Sequence, residues 1–338
     1  MTEEKMNAIA FGLGPIGIKI LQNCMKSESI RLIGAVDIDP DKIGKDAGEL
    51  AGGEAVGIKI SASVAEIEAS VSEGRKFALH ATGSNLRQVW PQFKELLDHG
   101  YSIVSTCEEL SYPWSRYPEL SREIDTYARV KRQVVIGTGI NPGFVMDALA
   151  VFMTSVTETI KGIQVYRSVD VSRRRIPLQK KVGIGMTPED FLRLAAEDRI
   201  GHVGLEESLR LIGAALNLTF HDVQNSIEPA IATEDTELTS GPLKANDVCG
   251  LHQISQGMSE EGIPVVLDLV MSAHVPQEDR IVIDTDDLGK VETVIPGGIF
   301  GDTATVNVVV NTAKTLCDLD ACGLLTMADI RLTRNIHR

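Results

Sequence analysis

The hydrophobic positions of the first 145 residues form short apolar runs that alternate with stretches of helical spacing. Apolar residues recur every three to four positions in residues 16–26, 86–99 and 117–131. Between these stretches lie the apolar runs "NAIAFGLG", "IRLIGAVDID", "FALHATGS", "SIVSTCEE" and "QVVIGTGINPG". Short buried strands that alternate with helices are typical of a parallel sheet covered on both faces. Residues 1–145 are therefore predicted to form an α/β domain with a doubly wound parallel sheet.

The pattern changes after Asn141-Pro142-Gly143. A helical stretch is followed by a half-exposed strand pattern at 159–172, and Thr187 is placed to cap a further helix. Later strand-like runs follow one another without long helices between them: "GIPVVLDLVMSA", "DRIVIDT" and "VETVIPGG". Such a succession predicts a second, α+β domain with an open mixed sheet over residues 146–302.

The C-terminal segment is predicted to return to the first domain. Residues 304–319, "ATVNVVVNTAKTLCDL", are predicted to form a buried helix although many of them are β-branched. We expect residues 303–338, which include this helix, to pack on the first domain, since the last helix of related folds returns to the N-terminal domain. An exposed face on the sheet of the second domain would favour a homodimer.

Composition and charge exclude several classes of function. The 33 basic and 47 acidic residues give a net charge of −14, which argues against binding nucleic acid by bulk electrostatics. No apolar run has transmembrane length, and the acidic N-terminus has no signal-peptide pattern, so we expect no membrane association. The five cysteines show no Cys-x-x-Cys spacing. We therefore expect a cytoplasmic protein with reduced thiols and no metal site.

A glycine motif at the start of the chain predicts a dinucleotide site. Gly12, Gly14 and Gly17 form G-x-G-x-x-G between a predicted strand and a predicted helix, the context that makes this pattern informative. The glycines allow a tight turn, a close approach to a pyrophosphate and close packing of helix on strand. Pro15 and Ile16 complete the turn, and the helix N-terminus offers N–H groups to the phosphates. This is the fingerprint of a Rossmann domain.

Asp37 indicates which dinucleotide binds. It lies 20 residues after Gly17, where an acid contacts the ribose hydroxyls of the adenosine. A carboxylate there repels a 2′-phosphate, so NAD is the expected cofactor. Lys42 and Lys45 follow closely and leave NADP possible.

Small and polar residues follow the later strands of the predicted sheet. In a doubly wound sheet, ligands bind outside the carboxyl ends of the strands. Thr82, Gly83 and Ser84 follow one strand, Thr106 another, and Asn141 a third. We expect these residues to contact the cofactor near its nicotinamide ribose; an ordinary strand-to-helix turn is the alternative for the first three.

Two adjacent carboxylates, Glu108 and Glu109, end the strand "SIVSTCEE" at the same predicted edge. A carboxylate beside a nicotinamide suits a cationic substrate, or one that must lose a proton before hydride leaves. It suits a carbonyl oxygen poorly, because that atom needs a hydrogen-bond donor. The alternative for either acid is the first turn of a helix, where it would complement the dipole. Cys107 has no neighbouring base in the sequence and is predicted to be a small core residue.

The chain resembles a known family in segments spread along nearly its whole length. They are "GLGPIG", "AVDIDPDKIGKD", "STCEELSYPW", "GTGINPGFVMD", "KKVGIGMTPEDF", "GHVGLEESLRLIGAAL", "PGGIFGDTATVNVVVN" and "GLLTMADIR". Together they resemble the 2,4-diaminopentanoate dehydrogenases and native amine dehydrogenases, which are related to dihydrodipicolinate reductase. The glycine motif is common to many dehydrogenases, whereas "STCEEL" and "GTGINPGF" are more specific. The HHxxK pattern of dihydrodipicolinate reductase is absent from the sequence.

The resemblance implies NAD(P)-dependent oxidative deamination of an amine or diamino acid, reversible as reductive amination. Its namesake reaction converts 2,4-diaminopentanoate into 2-amino-4-oxopentanoate and ammonia. By position, the resemblance implies that Glu108 and His202 are catalytic. It further implies a substrate site formed by Glu109, Asn141, Tyr166, Asp170 and Arg173, and it implies that residues 146–302 form the domain for substrate binding and oligomerisation.

Each of these assignments has an alternative. His202 could be a structural histidine, and Arg173 could belong to a solvated basic turn rather than hold a substrate carboxylate. The activity itself has two alternatives. One is a reductase for C=N, C=C or carbonyl groups on the same scaffold, and the other is a nucleotide sensor without catalysis.

Overall fold

The protein divides into two compact units, Met1–Phe144 with Phe300–Arg338 and Val145–Ile299. A computed structural model describes residues 5–67 and 74–333. Its strands are β1 (Met6–Phe11), β2 (Ile30–Val36), β3 (Ile60–Ser61), β4 (Lys76–His80), β5 (Tyr101–Ser105), β6 (Val134–Gly137), β7 (Gly162–Asp170), β8 (Val223–Ile231), β9 (Thr236–Leu238), β10 (Gly241–Leu243), β11 (Val248–Met258), β12 (Pro264–Ser272), β13 (Glu278–Asp284), β14 (Lys290–Pro296) and β15 (Gly323–Leu325). Its α-helices are α1 (Pro15–Lys26), α2 (Ala47–Leu50), α3 (Leu86–Asp98), α4 (Pro118–Val130), α5 (Ala148–Met153), α6 (Ile176–Lys181), α7 (Pro188–Ala196), α8 (Leu205–Leu216) and α9 (Gly301–Cys317).

The first unit contains a seven-stranded sheet in the order β15-β6-β5-β4-β1-β2-β3. Every neighbouring pair in it is parallel. The predicted doubly wound parallel sheet is therefore confirmed. The strand order reverses between β1 and β4, which is the position where sheets of this kind bind ligands.

The strands of this sheet are apolar without alternation because helices cover both of its faces. All six residues of β1 are buried. On one face, α3 contributes Leu86, Phe93, Leu96 and Leu97, each at most 1% exposed. On the other face, Leu21 of α1 packs with Ala10 and Ala35.

The predicted C-terminal helix forms as α9, in the first unit. Its buried residues include Val306, Val309, Val310 and Leu316. The helix contacts α1, and Asn23 donates a hydrogen bond to Asn307 at 3.1 Å. The low helix propensity of valine is overridden here by the burial of these side chains.

The second unit contains a six-stranded sheet in the order β14-β13-β7-β12-β11-β8. β7 and β12 are parallel, and the other neighbours are antiparallel, so the predicted mixed sheet is confirmed. Val265, Leu267 and Leu269 of β12 are buried and alternate with half-buried residues. One face of the sheet is thus more exposed than the other, and the homodimer expected from the sequence stays a prediction.

Three local features of the structure bear on the sequence-based predictions: the cap of α7, the outer strands of the first sheet and the length of the helices. Thr187 accepts a hydrogen bond from the backbone of Asp190 and caps α7, as predicted. The two outer strands of the first sheet, β3 and β15, are not among the five predicted strands. Asp125 fixes β15 by accepting a hydrogen bond from the Leu324 backbone at 2.9 Å. In the part of the chain described here, every helix is too short or too polar to cross a membrane.

Candidate active site

The ends of four neighbouring strands form one edge of the first sheet. Phe11, His80 and Ser105 are register partners and each is the last residue of its strand. One further backbone hydrogen bond follows the last paired residue of each neighbouring strand pair. The Ala81 N–H donates to the Phe11 carbonyl, the Thr106 N–H to the His80 carbonyl and the Thr138 N–H to the Ser105 carbonyl. The loops that carry the predicted site residues of this unit therefore leave the sheet at the same level.

The glycine motif has the geometry that a bound pyrophosphate requires. Gly12 has φ +87°, which favours glycine, and a Cβ at Gly17 would overlap the carbonyl oxygen of Gly12. Gly14 caps α1, and a Cβ built there would meet nothing within 4 Å. Pro15 is the first residue of the helix, where its missing N–H costs nothing. Open space above Gly14 and the N-terminus of α1 together fit an anion such as a diphosphate.

Asp37 is held rigidly beside this motif. Its carboxylate accepts hydrogen bonds from the backbone of Leu13 at 2.6 Å and of Asp39 at 2.9 Å. Lys42 approaches the same carboxylate at 3.2 Å and Asp39 at 3.3 Å. Partial burial alone would lower the pKa of Lys42, but its hydrogen bonds to both carboxylates hold that pKa above its usual value. The carboxylate of Asp37 thus holds the ammonium group of Lys42 beside the position expected for the adenosine ribose.

Two buried polar atoms lie in the loop that follows β6. The side-chain oxygens Thr138 Oγ1 and Asn141 Oδ1 have no hydrogen-bond partner among residues 5–67 and 74–333. Buried polar atoms are nearly always satisfied, so such atoms at a strand edge indicate a bound group. Together with the glycine turn and Asp37, they fit a nicotinamide dinucleotide and its substrate. Asn141 stays a candidate for both.

The loop after β4 has an exposed tip and a fixed base. Thr82 and Gly83 are exposed, whereas Ser84 is half-buried. The hydroxyl of Thr82 donates to Gln92 Oε1 at 2.7 Å, and the carbonyl of Ser84 accepts from the Cys107 thiol at 3.1 Å. Thr106 is half-buried on the neighbouring loop. Their contacts with a cofactor stay predictions.

Glu109 has a structural role, which argues against its assignment as a substrate-binding residue. It is 5% exposed. Its carboxylate accepts hydrogen bonds from the backbone of Leu86 at 2.7 Å, from Tyr117 at 3.0 Å and from Arg116 at 3.0 Å. The contact with Leu86 satisfies an N–H group in the first turn of α3. Both oxygens are therefore committed to holding α3 and α4 to the sheet.

Glu108 begins a 3-10 turn that spans Glu108–Leu110, and it is half-buried. Its backbone carbonyl accepts hydrogen bonds from the Ser111 hydroxyl at 2.8 Å and the Ser111 N–H at 3.2 Å. The turn lies directly against Gly137: a Cβ there would come within 2.6 Å of the Leu110 carbonyl carbon. The position of the Glu108 backbone is thus fixed from two sides.

Cys107 is a core residue, as predicted. It is 1% exposed, and its thiol donates to the Ser84 carbonyl. Burial first, and the negative charge of Glu108 second, raise the pKa of the Cys107 thiol well above its usual value. A thiol in this state is a poor nucleophile.

His202 and Tyr166 lie towards opposite faces of the sheet in the second unit. The backbone N–H and carbonyl of His202 bracket the side-chain amide of Gln253, with hydrogen bonds of 2.9 and 3.0 Å. Gln253 is aligned through β12 with Arg167, whereas Tyr166 precedes Arg167 on β7. Successive side chains of a strand point to opposite faces. The structure therefore does not bring Tyr166 and His202 together, contrary to the expectation of one shared substrate site.

Asp170 and Arg173 also differ from the expected substrate site. Asp170 accepts hydrogen bonds from the backbone and hydroxyl of Ser172 and from the backbone of His274. Burial would raise the pKa of Asp170, but these hydrogen bonds keep it below its usual value. Asp170 therefore closes a turn after β7, a structural role. Arg173 is exposed, as expected for the alternative of a solvated turn.

Sequence reasoning missed two residues of the first unit. Ile38 directly follows Asp37 and is 85% exposed, so it offers an apolar surface where an adenine ring would lie. His80 is fully buried at the end of β4. The signals available in the sequence were an apolar residue after Asp37 and a lone polar ring in the run "FALHATGS".

Comparison with known proteins identifies the family. Residues 144–338 match the family model described as the 2,4-diaminopentanoate dehydrogenase C-terminal domain. The chain belongs to this family. A 2,4-diaminopentanoate dehydrogenase from Acetoanaerobium sticklandii is 27% identical over 350 residues, covering 98% of this chain and 95% of the relative. An amine dehydrogenase from Streptomyces virginiae is 21% identical over 274 residues, covering 80% of this chain and 76% of the relative.

Solved structures agree with the fold. The amine dehydrogenase from Mycobacterium smegmatis superposes with a TM-score of 0.86 at 22% identity, covering 99% of this chain and 98% of that one. Dihydrodipicolinate reductase from Paenisporosarcina sp. TG-14 gives a TM-score of 0.54 at 11% identity, with 97% and 100% coverage. The resemblance inferred from the sequence segments is confirmed, as is the prediction that the chain is an enzyme of the dehydrogenase class.

Proposed function

We propose that this protein catalyses the oxidative deamination of an amine with a nicotinamide dinucleotide, reversible as reductive amination. One observation carries the proposal: the two adjacent carboxylates at the strand edge differ in their surroundings. Glu109 is buried and hydrogen-bonded to α3 and to the start of α4, whereas Glu108 is half-buried on a turn at the edge that carries the glycine motif. We therefore propose that Glu109 has a structural role and that Glu108 takes part in the chemistry.

The cofactor, when bound, accepts the hydride that leaves the amine-bearing carbon. The chain contributes the surroundings of that transfer. Gly14 and the N-terminus of α1 are proposed to bind the diphosphate, Asp37 the adenosine ribose, and Ile38 the adenine. Asn141 Oδ1 is proposed to accept a hydrogen bond from the cofactor or the substrate.

Glu108 is proposed to act on the amine in two ways. As a carboxylate it binds the substrate ammonium and accepts one proton, so that the nitrogen gains the lone pair needed to expel hydride. The carbon–nitrogen group then becomes an iminium cation, which Glu108 stabilises once it has passed the proton to water and is a carboxylate again. Addition of water to the iminium yields a carbonyl compound and ammonia. His202 stays a proposed second catalytic residue.

The family name gives the finer proposal for the substrate. We propose a diamino acid, with 2,4-diaminopentanoate converted into 2-amino-4-oxopentanoate and ammonia as the first candidate. Simple amines are the second candidate, because a relative is named amine dehydrogenase.

A spectrophotometric screen tests the proposal. Diamino acids, diamines and simple amines are each offered with NAD⁺ and with NADP⁺, and reduction of the cofactor is followed by its absorbance. In the reverse direction, 2-amino-4-oxopentanoate is offered with NADH in the presence and absence of ammonium. We expect oxidation of NADH that depends on ammonium. Oxidation without ammonium would identify a carbonyl reductase, and NADH binding without turnover of any compound would identify a nucleotide sensor.

Lys42 gives a prediction about cofactor preference. We propose NAD as the preferred cofactor, with the cation of Lys42 partly offsetting the repulsion between Asp37 and a 2′-phosphate. Lys42→Ala is then expected to weaken NADPH binding about 10-fold, the equivalent of about 1.4 kcal/mol, and to change NADH binding much less. Fluorescence titration with both reduced cofactors measures this. Lys45→Ala, in an exposed lysine three residues away, is the matched control. Equal losses for both cofactors would contradict the assignment.

A further inference from the structure

His80 is a buried histidine that the proposed chemistry does not use. It is 0% exposed at the end of β4. Its ring stacks on Phe11 with centroids 5.5 Å apart, and Phe93 of α3 meets it edge-to-face at 4.9 Å. Phe11 directly precedes Gly12 of the glycine motif. A polar ring in this position needs partners for both of its nitrogens.

The partners of the ring fix its tautomer. Gln92 Oε1 lies 2.8 Å from Nε2 and also accepts the Thr82 hydroxyl at 2.7 Å. An amide oxygen only accepts, so Nε2 carries the proton. Nδ1 is then an acceptor, and the Ser105 hydroxyl donates to it at 2.8 Å. Burial lowers the pKa of His80 to about 4, which keeps the ring neutral near pH 7.

The hydrogen bonds continue beyond the ring on both sides. On one side, Gln92 accepts the hydrogen bond of the Thr82 hydroxyl in the loop after β4, and Thr82 Oγ1 also lies 2.9 Å from Nε2. On the other side, the Ser105 oxygen accepts the backbone N–H of Cys107 at 3.0 Å. Cys107 is the residue immediately before Glu108. The ring therefore joins two loops that leave neighbouring strands.

We propose that His80 is a positioning residue, which sets the Thr82 loop relative to the turn that carries Glu108. The inference rests on the proposed function, since it assumes that the first loop contacts the cofactor and that Glu108 acts on the amine. Its physical basis is that hydrogen bonds connect both loops to the same neutral ring, which two aromatic contacts hold in place. A shift of about 1 Å between reacting groups can reduce the rate of a reaction by about 10²-fold.

The two sides of the ring predict different kinetic effects. Gln92→Met removes the oxygen that accepts the Thr82 hydroxyl, and this variant should raise the dissociation constant of NADH about 10-fold, with kcat at saturating cofactor little changed. Ser105→Ala removes the hold on Cys107 and should lower kcat about 10-fold, with NADH binding unchanged. His80→Phe keeps the aromatic packing but loses the hydrogen bonds to Gln92 and Ser105. It should therefore both weaken NADH binding and lower kcat.

The experiment combines NADH fluorescence titration, steady-state kinetics and circular dichroism on the full chain. His99→Phe is the control, since His99 is an exposed histidine at the opposite end of α3. It should bind NADH and turn over amine as the wild type does. If folded Gln92→Met and Ser105→Ala change both parameters in the same proportion, or change neither, the positioning role is overturned. If His80→Phe does not fold, these two variants decide the question.

The outcome separates this inference from the proposed function. If the wild-type protein binds NADH but turns over no amine, the proposed function fails. The NADH dissociation constants of Gln92→Met and Ser105→Ala then still test the positioning role. NADH binding that is 10-fold weaker in Gln92→Met alone supports the positioning role. Equal NADH dissociation constants for the two variants overturn it.

Discussion

Glu108→Gln is expected to lose about 10²- to 10⁴-fold in amine turnover while its dissociation constant for NADH stays unchanged. Glutamine keeps the size and polarity of the side chain but cannot accept the proton of the ammonium and carries no charge to stabilise an iminium. We propose that the glycine turn and Asp37 bind the cofactor. They belong to other loops than Glu108, so the substitution leaves them intact. Steady-state kinetics at saturating cofactor, with NADH fluorescence titration alongside, measure both quantities.

Glu109→Gln is the matched control, because it makes the same chemical change one residue away. Glu109 is buried and accepts hydrogen bonds from Leu86, Arg116 and Tyr117. An amide can accept at only one end, so part of this network is lost, at a cost of about 1–3 kcal/mol in the free energy of unfolding. We expect a less stable protein whose folded fraction still turns over amine.

The pair of variants decides between the two acids. Near-normal deamination by Glu108→Gln would contradict the proposed mechanism. A Glu109→Gln variant of unchanged stability that loses turnover would exchange the two roles. Urea unfolding followed by tryptophan fluorescence suits this test, because Trp90 and Trp114 both lie in the first unit.

Asp279→Asn is expected to destabilise the second unit by about 3–5 kcal/mol. Arg167 and Asp279 are cross-strand partners on β7 and β13, their side chains are 4% and 1% exposed, and they form an ion pair of 2.5 Å. Arg167 also donates to the Ile299 carbonyl at 2.8 Å, and Asp279 accepts the Ile299 N–H at 2.7 Å. Burial lowers the pKa of Arg167 from its usual value, which reflects the cost of a charge in this place. Removing its partner leaves that charge buried without compensation.

The measurement must report on the second unit, which contains no tryptophan. Urea unfolding followed by far-UV circular dichroism detects its strands, and tryptophan fluorescence shows whether the first unit unfolds at the same concentration. Arg280→Ala is the control. Arg280 follows Asp279 on β13 and forms an exposed ion pair with Glu292 at 3.0 Å. We expect no measurable shift in its midpoint, because exposed pairs are screened by water.

A double variant tests the cause of the effect. Arg167→Met with Asp279→Leu removes both charges and keeps apolar volume, so it should recover most of the stability lost in Asp279→Asn. A double variant as unstable as the single one would show that the contacts with Ile299, rather than the unpaired charge, explain the loss.

The positions of the candidate site residues were predictable where they follow from a local pattern. The glycine motif, its helix and Asp37 follow one another within 26 residues, so their geometry is set by one strand–turn–helix–strand unit. The strand ends at Thr82, Thr106 and Asn141 were placed on one edge because parallel strands present their carboxyl ends together. The same reasoning placed Glu108 and Glu109 there as well.

The sequence could not divide the roles of these two glutamates. The division depends on Leu86, Arg116 and Tyr117, which belong to other elements and meet Glu109 only in the folded protein. The same holds for Tyr166 in the second unit. Its place on a strand was predictable, but the face it occupies relative to His202 depends on the register of β7, β12 and β11.

The sequence by itself determined the sheet type, the mixed sheet of the second unit, the dinucleotide motif and the family, because each is written in local periodicity or in a short contiguous segment. The tertiary structure alone decided which carboxylate is structural, that His80 joins two loops, and that Arg167 is paired with Asp279. These facts depend on side chains from distant parts of the chain, and their positions follow from strand order and register. The two acids that follow β5 are both glutamates, and only their neighbours in the fold distinguish them.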